Sequence, residues 1–174
     1  RADTFFGNGI VAHVSVAHPV SKVLASTLAD SADAEGAVTH RGGCYVNMEG
    51  PQFSTRAESM AYRHMGFDII GMTNLQEAKL AREAEIAYAT LALVTDYDCW
   101  HEGHDDVTVD MVIEYLNKNV RNAQLVLKDA VKRVERKTTP NQYVNATKNA
   151  IFTAPSNWPE ATAKKLAAII GKYR

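Results

Sequence analysis

The sequence predicts an α/β layered fold. Strand-like and helix-like segments alternate along the chain, and residues 67–72 and 88–95 are apolar enough to be interior strands covered on both faces. The 174 residues are 46 % hydrophobic, enough for a core without disulfides or metals and, at this length, for a single domain spanning 1–174. Nineteen Lys+Arg stand against 20 Asp+Glu, a net charge of −1. That balance excludes disorder and gives no electrostatic footprint for nucleic acid or an acidic membrane. The partner to expect is a small molecule or another copy of the chain.

Each element has its own local signal. Residues 10–16 are β-branched and read as a strand. After Pro19, a helix from Ser21 to about Asp33 repeats Val23, Leu24, Leu28 and Ala29 behind a Ser cap and stops at Gly36. Residues 38–40 and 43–48 suggest a strand pair broken at Gly42-Gly43. Thr55 and Glu58 have capping-box spacing, so a helix follows the Gly50-Pro51 loop and ends at Gly66. Residues 67–72 form a buried strand ending at Thr73, and a helix begins near Asn74 with Glu77 three residues on. Residues 88–95 are the second interior strand. From Thr108 to about Arg136 a long helix carries Val109, Val112, Ile113, Leu116, Val120, Ala123 and Leu127 on one side. Residues 137–152 read as a polar connection, and a last helix opens at Asn157 and closes at Gly171.

No run approaches the ~18 apolar residues of a membrane span. The segment Arg1–Gly7 lacks the basic and apolar regions of a signal peptide. Cys44 and Cys99 are too few for a disulfide scaffold, which suggests a reducing, cytoplasmic setting. The Asn145-Ala146-Thr147 sequon is then a chance match.

In open α/β sheets, ligands bind at the carboxyl ends of strands. Two such ends are unusual here: Met72-Thr73-Asn74 and Thr95-Asp96-Tyr97-Asp98. Asp96 follows a run of buried strand, so its carboxylate is expected at the edge of a low-dielectric pocket, where desolvation would fit it to donate a proton. Asp98 reads equally as a turn residue. Thr73, before a helix amino terminus, can bind an anion or simply cap the helix. Phe53 can stack on a planar ligand or belong to the core. His101 and His104, with Glu102, Asp105 and Asp106, resemble zinc spacing only weakly and read as a solvated loop. No nucleophile elbow, dinucleotide fingerprint or P-loop is present in the sequence.

The blocks Asn47-Met48-Glu49-Gly50-Pro51-Gln52-Phe53-Ser54-Thr55-Arg56-Ala57-Glu58-Ser59, Gly71–Ala78 and Thr95–Trp100 together resemble the trimeric purine nucleoside phosphorylase family, in its methylthioadenosine-cleaving branch. Residues 5–13 continue the likeness. The resemblance implies a three-layer purine/uridine phosphorylase-like fold, a mixed central sheet flanked by helices. It also implies reversible phosphorolysis of 5′-methylthioadenosine to adenine and 5-methylthioribose 1-phosphate. Relatives acting on 6-oxopurines carry Glu in place of Ser54 and Asn in place of Asp96, so this pattern points to a 6-aminopurine. By the same resemblance, Phe53 stacks on adenine, Ser54 lies near the base, and Met72 lines the ribose. Thr73 binds phosphate. Asp96 addresses N7 and the 6-amino group as the catalytic acid, with Asp98 beside it. Val109 and Ile113 face the methylthio group, and His13 completes a neighbouring subunit's 5′ pocket. Gln76 departs from the Pro usual in its block.

The implied reaction needs no metal or other cofactor, inorganic phosphate being a co-substrate. The implied assembly is a homotrimer or a multiple of it. The family's Gly-rich loop and Arg-His pair for phosphate precede the part that matches, so the chain is expected to be a carboxyl-terminal portion of the enzyme that works with an amino-terminal piece. Two other readings stand beside this one. One is a phosphorylase of adenosine or inosine, and the other is an inactive fragment serving as a binding or oligomerisation module.

Overall fold

In the computed structural model, which describes residues 2–101, 109–134 and 141–174, the chain runs α1 (Lys22–Ala34), β1 (Tyr45–Asn47), α2 (Arg56–His64), β2 (Ile69–Gly71), α3 (Asn74–Glu83), α4 (Val109–Arg133), α5 (Asn141–Val144), α6 (Glu160–Lys165) and α7 (Ala167–Ile170). Its described residues group into two compact units. One comprises those of Arg1–Leu24, Leu75–Ala89 and Glu135–Arg174, the other those of Ala25–Asn74 and Thr90–Val134.

The second unit is organised by a parallel ladder in which Tyr45, Val46 and Asn47 face Ile69, Ile70 and Gly71. The expected pairing of 38–40 with 43–48 does not form. Arg41 instead binds Asp30 at 2.7 Å and also Asp33, which draws that loop back to the end of α1. Gly42 and Gly43, at φ +81° and +107°, then turn the chain. Asp68 secures the entry to the ladder: its carboxylate accepts from the Cys44 amide at 2.6 Å, and its own amide donates to the Cys44 carbonyl at 2.9 Å. Gly71 is required by proximity, because a Cβ there would lie 1.7 Å from the Tyr45 hydroxyl.

The capping box that opens α2 forms as the sequence predicts. Thr55 Oγ1 accepts from the Glu58 amide at 3.3 Å, and Glu58 accepts from the Thr55 amide at 2.7 Å. Gly66 at φ +77° ends the turn after α2.

Residues 90–95 were expected within an interior strand but make no ladder among the described residues, and Leu93 and Val94 are exposed. A strand requires a neighbour to accept its amides, and β1 and β2 do not serve this segment. It is held instead by side chains: Thr90 Oγ1 to Asn74 Oδ1 at 2.5 Å and Asn119 Nδ2 to the Val94 carbonyl at 3.0 Å.

α4 also differs from expectation. Ile113, Leu116, Val120 and Leu127 of the anticipated core face are 44–49 % exposed, while Val126 and Ala130 are buried and Ala123 is half-buried. Ala123, Val126 and Ala130 recur at helical spacing, so the packed stripe lies beside the anticipated one and shares Ala123 with it.

In the first unit, residues 10–16 contribute two isolated antiparallel bridges, Ile10 to Gly7 and Ala12 to Ile151, rather than a strand. The reason is a tight turn at Gly7–Ile10 that commits Ile10 to a core with Ala163, Leu166 and Ile170. The polar connection read for 137–152 is thereby corrected over its described part: α5 and the buried Tyr143, Thr147 and Ala150 lie within it. The last helix opens on Pro159 rather than Asn157 and breaks at Leu166 into α6 and α7.

Glu85, at φ +59°, ties these parts together. Its buried carboxylate accepts from the Thr147 amide at 2.9 Å and Tyr173 Oη at 2.6 Å, and from Thr147 Oγ1 and Lys172 Nζ. Burial alone would raise its pKa, but hydrogen bonds from Lys172, Thr147 and Tyr173 outweigh burial and hold the carboxyl below its ordinary value.

Two outcomes are expected from these contacts. A depressed carboxyl contributes stability that is fully present above its unfolded pKa and is lost as pH falls through the folded one. Glu85→Gln should therefore lower stability by about 1–3 kcal/mol at neutral pH. The difference from wild type should shrink below about pH 4.3, the usual glutamate pKa. Paired thermal melts across that range, giving parallel curves, would remove Glu85 from this role. Thr55→Ala, which deletes the cap of α2, should cost about 1 kcal/mol in the same assay.

Candidate active site

The parallel ladder brings the carboxyl ends of β1 and β2 to the same side, and the loops that follow carry Phe53, Ser54, Met72 and Thr73 of the predicted site residues. Past β1, the Met48 amide donates to the Gly71 carbonyl at 2.9 Å, and Asn47 Nδ2 donates to the Met72 carbonyl at 3.2 Å. Ser54 Oγ reaches back to Met48 Sδ at 3.3 Å. Met72 and Ser54, both half-buried, are thus tied to one strand end.

Thr73 stands exposed immediately before the first residue of α3. Phe53 is 83 % exposed, so it is a projecting ring rather than a core residue.

The 96–101 loop joins this group. Cys99 Sγ donates to the Ser54 carbonyl at 3.6 Å, linking the Asp96–Asp98 loop to the Phe53–Ser54 loop. Asp98 is half-buried and held at both oxygens: Oδ1 accepts from the Cys99 amide at 2.9 Å and Oδ2 from Ser59 Oγ at 2.5 Å. Asp96 is exposed, with the Thr95 hydroxyl donating to it at 2.6 Å. The dry pocket expected around Asp96 is therefore not built by the described residues. The buried strand that was to supply it is absent, and this stretch of chain is open to solvent.

Beyond the acids lies an aromatic set. Tyr97 stacks on His101 with ring centroids 4.7 Å apart, Trp100 lies edge-on to both, and the Arg63 guanidinium sits 3.5 Å from the centre of the Trp100 ring. Ser59 and Arg63 are one helical turn apart on α2, and the sequence reading passed over both. Their i,i+4 spacing puts them on one face, but nothing local names the loop that face would grip.

Ile113 lies on the first turns of α4, 49 % exposed, and Val109 is that helix's first residue, its side chain outside the described part. Glu102, His104, Asp105 and Asp106 of the weak metal motif lie outside the described residues. Elsewhere among the described residues, no three His, Cys, Asp or Glu gather as a metal would require. No helix among them is long and apolar enough to cross a membrane.

His13 belongs to the other unit. It is exposed, meets Phe152 edge-on at 5.0 Å, and lines a cavity of about 260 Å³ with Asp3, Thr4, Lys79 and Glu83. The charged groups of that cavity are already paired. Lys79 binds Asp3 at 2.7 Å, and Glu83 accepts from Thr4 Oγ1 at 2.7 Å and the Phe5 amide at 2.6 Å.

The family model of the phosphorylase superfamily matches residues 1–132. The S-methyl-5′-thioadenosine phosphorylase of Gloeobacter violaceus is 52 % identical over 99 % of this chain and 59 % of its own length. That of Thermosynechococcus vestitus is 56 % identical over 99 % and 61 %. Among solved structures, a methylthioadenosine phosphorylase from an antarctic soil metagenomic library superposes with a TM-score of 0.89 at 48 % identity, over 97 % of this chain and 60 % of that one. The adenosine/methylthioadenosine phosphorylase of Schistosoma mansoni, as a Q289L mutant in complex with tubercidin, gives a TM-score of 0.77 at 30 % identity, over 88 % and 63 %. The chain thus spans about three fifths of the length of the curated relatives it matches.

Proposed function

The chain belongs to the phosphorylase superfamily, and on that premise we propose that it is the nucleoside-recognising part of an enzyme that cleaves 5′-methylthioadenosine with phosphate, giving adenine and 5-methylthioribose 1-phosphate. The observation that carries the proposal is the pair Asp96 and Asp98 on a loop bonded through Cys99 to the Phe53–Ser54 loop. Two acceptors beside an aromatic face suit a planar base that offers an exocyclic amino group. Names of relatives at about half identity support the same substrate class.

In this reading Phe53 stacks on the adenine, with Ser54 at its edge. The C1′–N9 bond lengthens toward an oxocarbenium-like ribosyl while Asp96, protonated or hydrogen-bonded at N7, stabilises the departing base. Phosphate, held by Thr73, attacks C1′ as the glycosidic electron pair leaves with adenine. Met72 lines the ribose. Val109 and Ile113 give the methylthio group an apolar wall, where a 5′-hydroxyl would lose its hydrogen bonds. His13 serves the 5′ pocket of a neighbouring subunit in a trimer or a multiple of it. The reaction uses no metal or other cofactor. A second reading, with adenosine also accepted, is favoured by the double substrate in the Schistosoma mansoni relative's name.

Asp96→Asn should reduce turnover of methylthioadenosine by roughly 10²–10⁴-fold, the range for a positioned acid. Near-normal kcat in that variant would take Asp96 out of the mechanism, and a preference for inosine in the wild type would overturn the substrate assignment. We further propose that catalysis needs the length its relatives have and this chain does not cover. A bound phosphate dianion requires several donors and positive charge, more than the Thr73 hydroxyl supplies. The 174-residue chain alone should release no adenine, and it should aggregate through Leu93, Val94 and the exposed apolar side chains of α4. A monodisperse preparation of it that is active with phosphate would refute this.

A further inference from the structure

The two carboxylates of the 96–101 loop are not equivalent. Asp96 has one short-range partner, the hydroxyl of its sequence neighbour, and is exposed. Asp98 is gripped at both oxygens by groups that can only sit where the backbone puts them: the Cys99 amide, and a serine that is 1 % exposed on the inner face of α2. The Cys99 amide can only donate, so Oδ1 must accept. The Ser59 hydroxyl is within 2.5 Å of the other oxygen. One turn along the same helix, the Arg63 guanidinium covers Trp100, which pins the far end of the loop. A carboxylate fixed in plane by two donors keeps its remaining lone pairs aimed in set directions.

Resting on the base-recognition reading above, we infer that Ser59 is a specificity-positioning residue: by donating to Asp98 it fixes that side chain as an acceptor, so the site favours a purine bearing a 6-amino donor over one bearing a 6-oxo acceptor. Ser59 does not touch substrate; its effect passes through Asp98. A site with an obligate acceptor penalises a ligand that presents an oxygen there, because both acceptors are then left without a donor.

The test is a double-mutant cycle in the enzyme at the full length of its relatives, read as the ratio of kcat/KM for methylthioadenosine over methylthioinosine. Ser59→Ala should lower that ratio about tenfold, mainly through KM for the aminopurine, with the 6-oxo substrate changed by no more than about threefold. In an Asp98→Ala background the same substitution should leave the ratio unmoved. Ser59→Cys keeps nearly the same volume with a weaker donor, and carries the test if Ser59→Ala does not fold; it should fall between wild type and Ser59→Ala. A general structural role would depress both substrates together and persist without Asp98, and either result overturns the inference. A wild type without aminopurine preference would instead overturn the base reading itself, and the role of Ser59 with it.

Discussion

Parallel pairing of β1 with β2 obliges the chain to leave both strands at the same end of the ladder. An antiparallel pair would have sent Met48 and Met72 to opposite ends. Here Asn47 reaches the Met72 carbonyl and Met48 meets both Gly71 and Ser54, so two loops distant in sequence become neighbours. The register is defended from inside by Gly71, whose missing side chain leaves room for Tyr45, and at the entry by Asp68 on Cys44. The Phe53–Ser54 and Met72–Thr73 loops of this unit are downstream of that arrangement.

The helix between the strands has two tasks. Its capping box fixes where α2 begins and so how the Phe53–Ser54 loop is terminated. Its inner face, through Ser59 and Arg63, restrains the loop that bears the acidic pair. Rigid elements thereby present side chains that lie on loops, the usual division between scaffold and site.

The other unit is held by a different device. Glu85 is a buried carboxylate whose desolvation is offset by donors from Thr147, Lys172 and Tyr173, which fastens the last segment of the chain to the turn after α3. Beside it, Arg82 donates to the His18 carbonyl and lies over the Tyr143 ring, so a second charge is buried only because it is paired with a carbonyl and an aromatic face.

Local signals in the sequence were sufficient wherever short-range physics decides. The α2 capping box, the stops at Gly36 and Gly66, the strand before Thr73 and the helix after it all follow from neighbours within a few residues. The family was legible too, because the blocks at 47–59, 71–78 and 95–100 carry residue types in a fixed order. Partnership over long distances was not legible. An apolar run such as 88–95 states that it can be buried, not that a strand lies beside it, and the apolar side of α4 does not say which of its residues find a neighbour. Sequence separates Asp96 from Asp98 only by position after an apolar run; that a serine from α2 reaches Asp98 is something only the folded chain could decide.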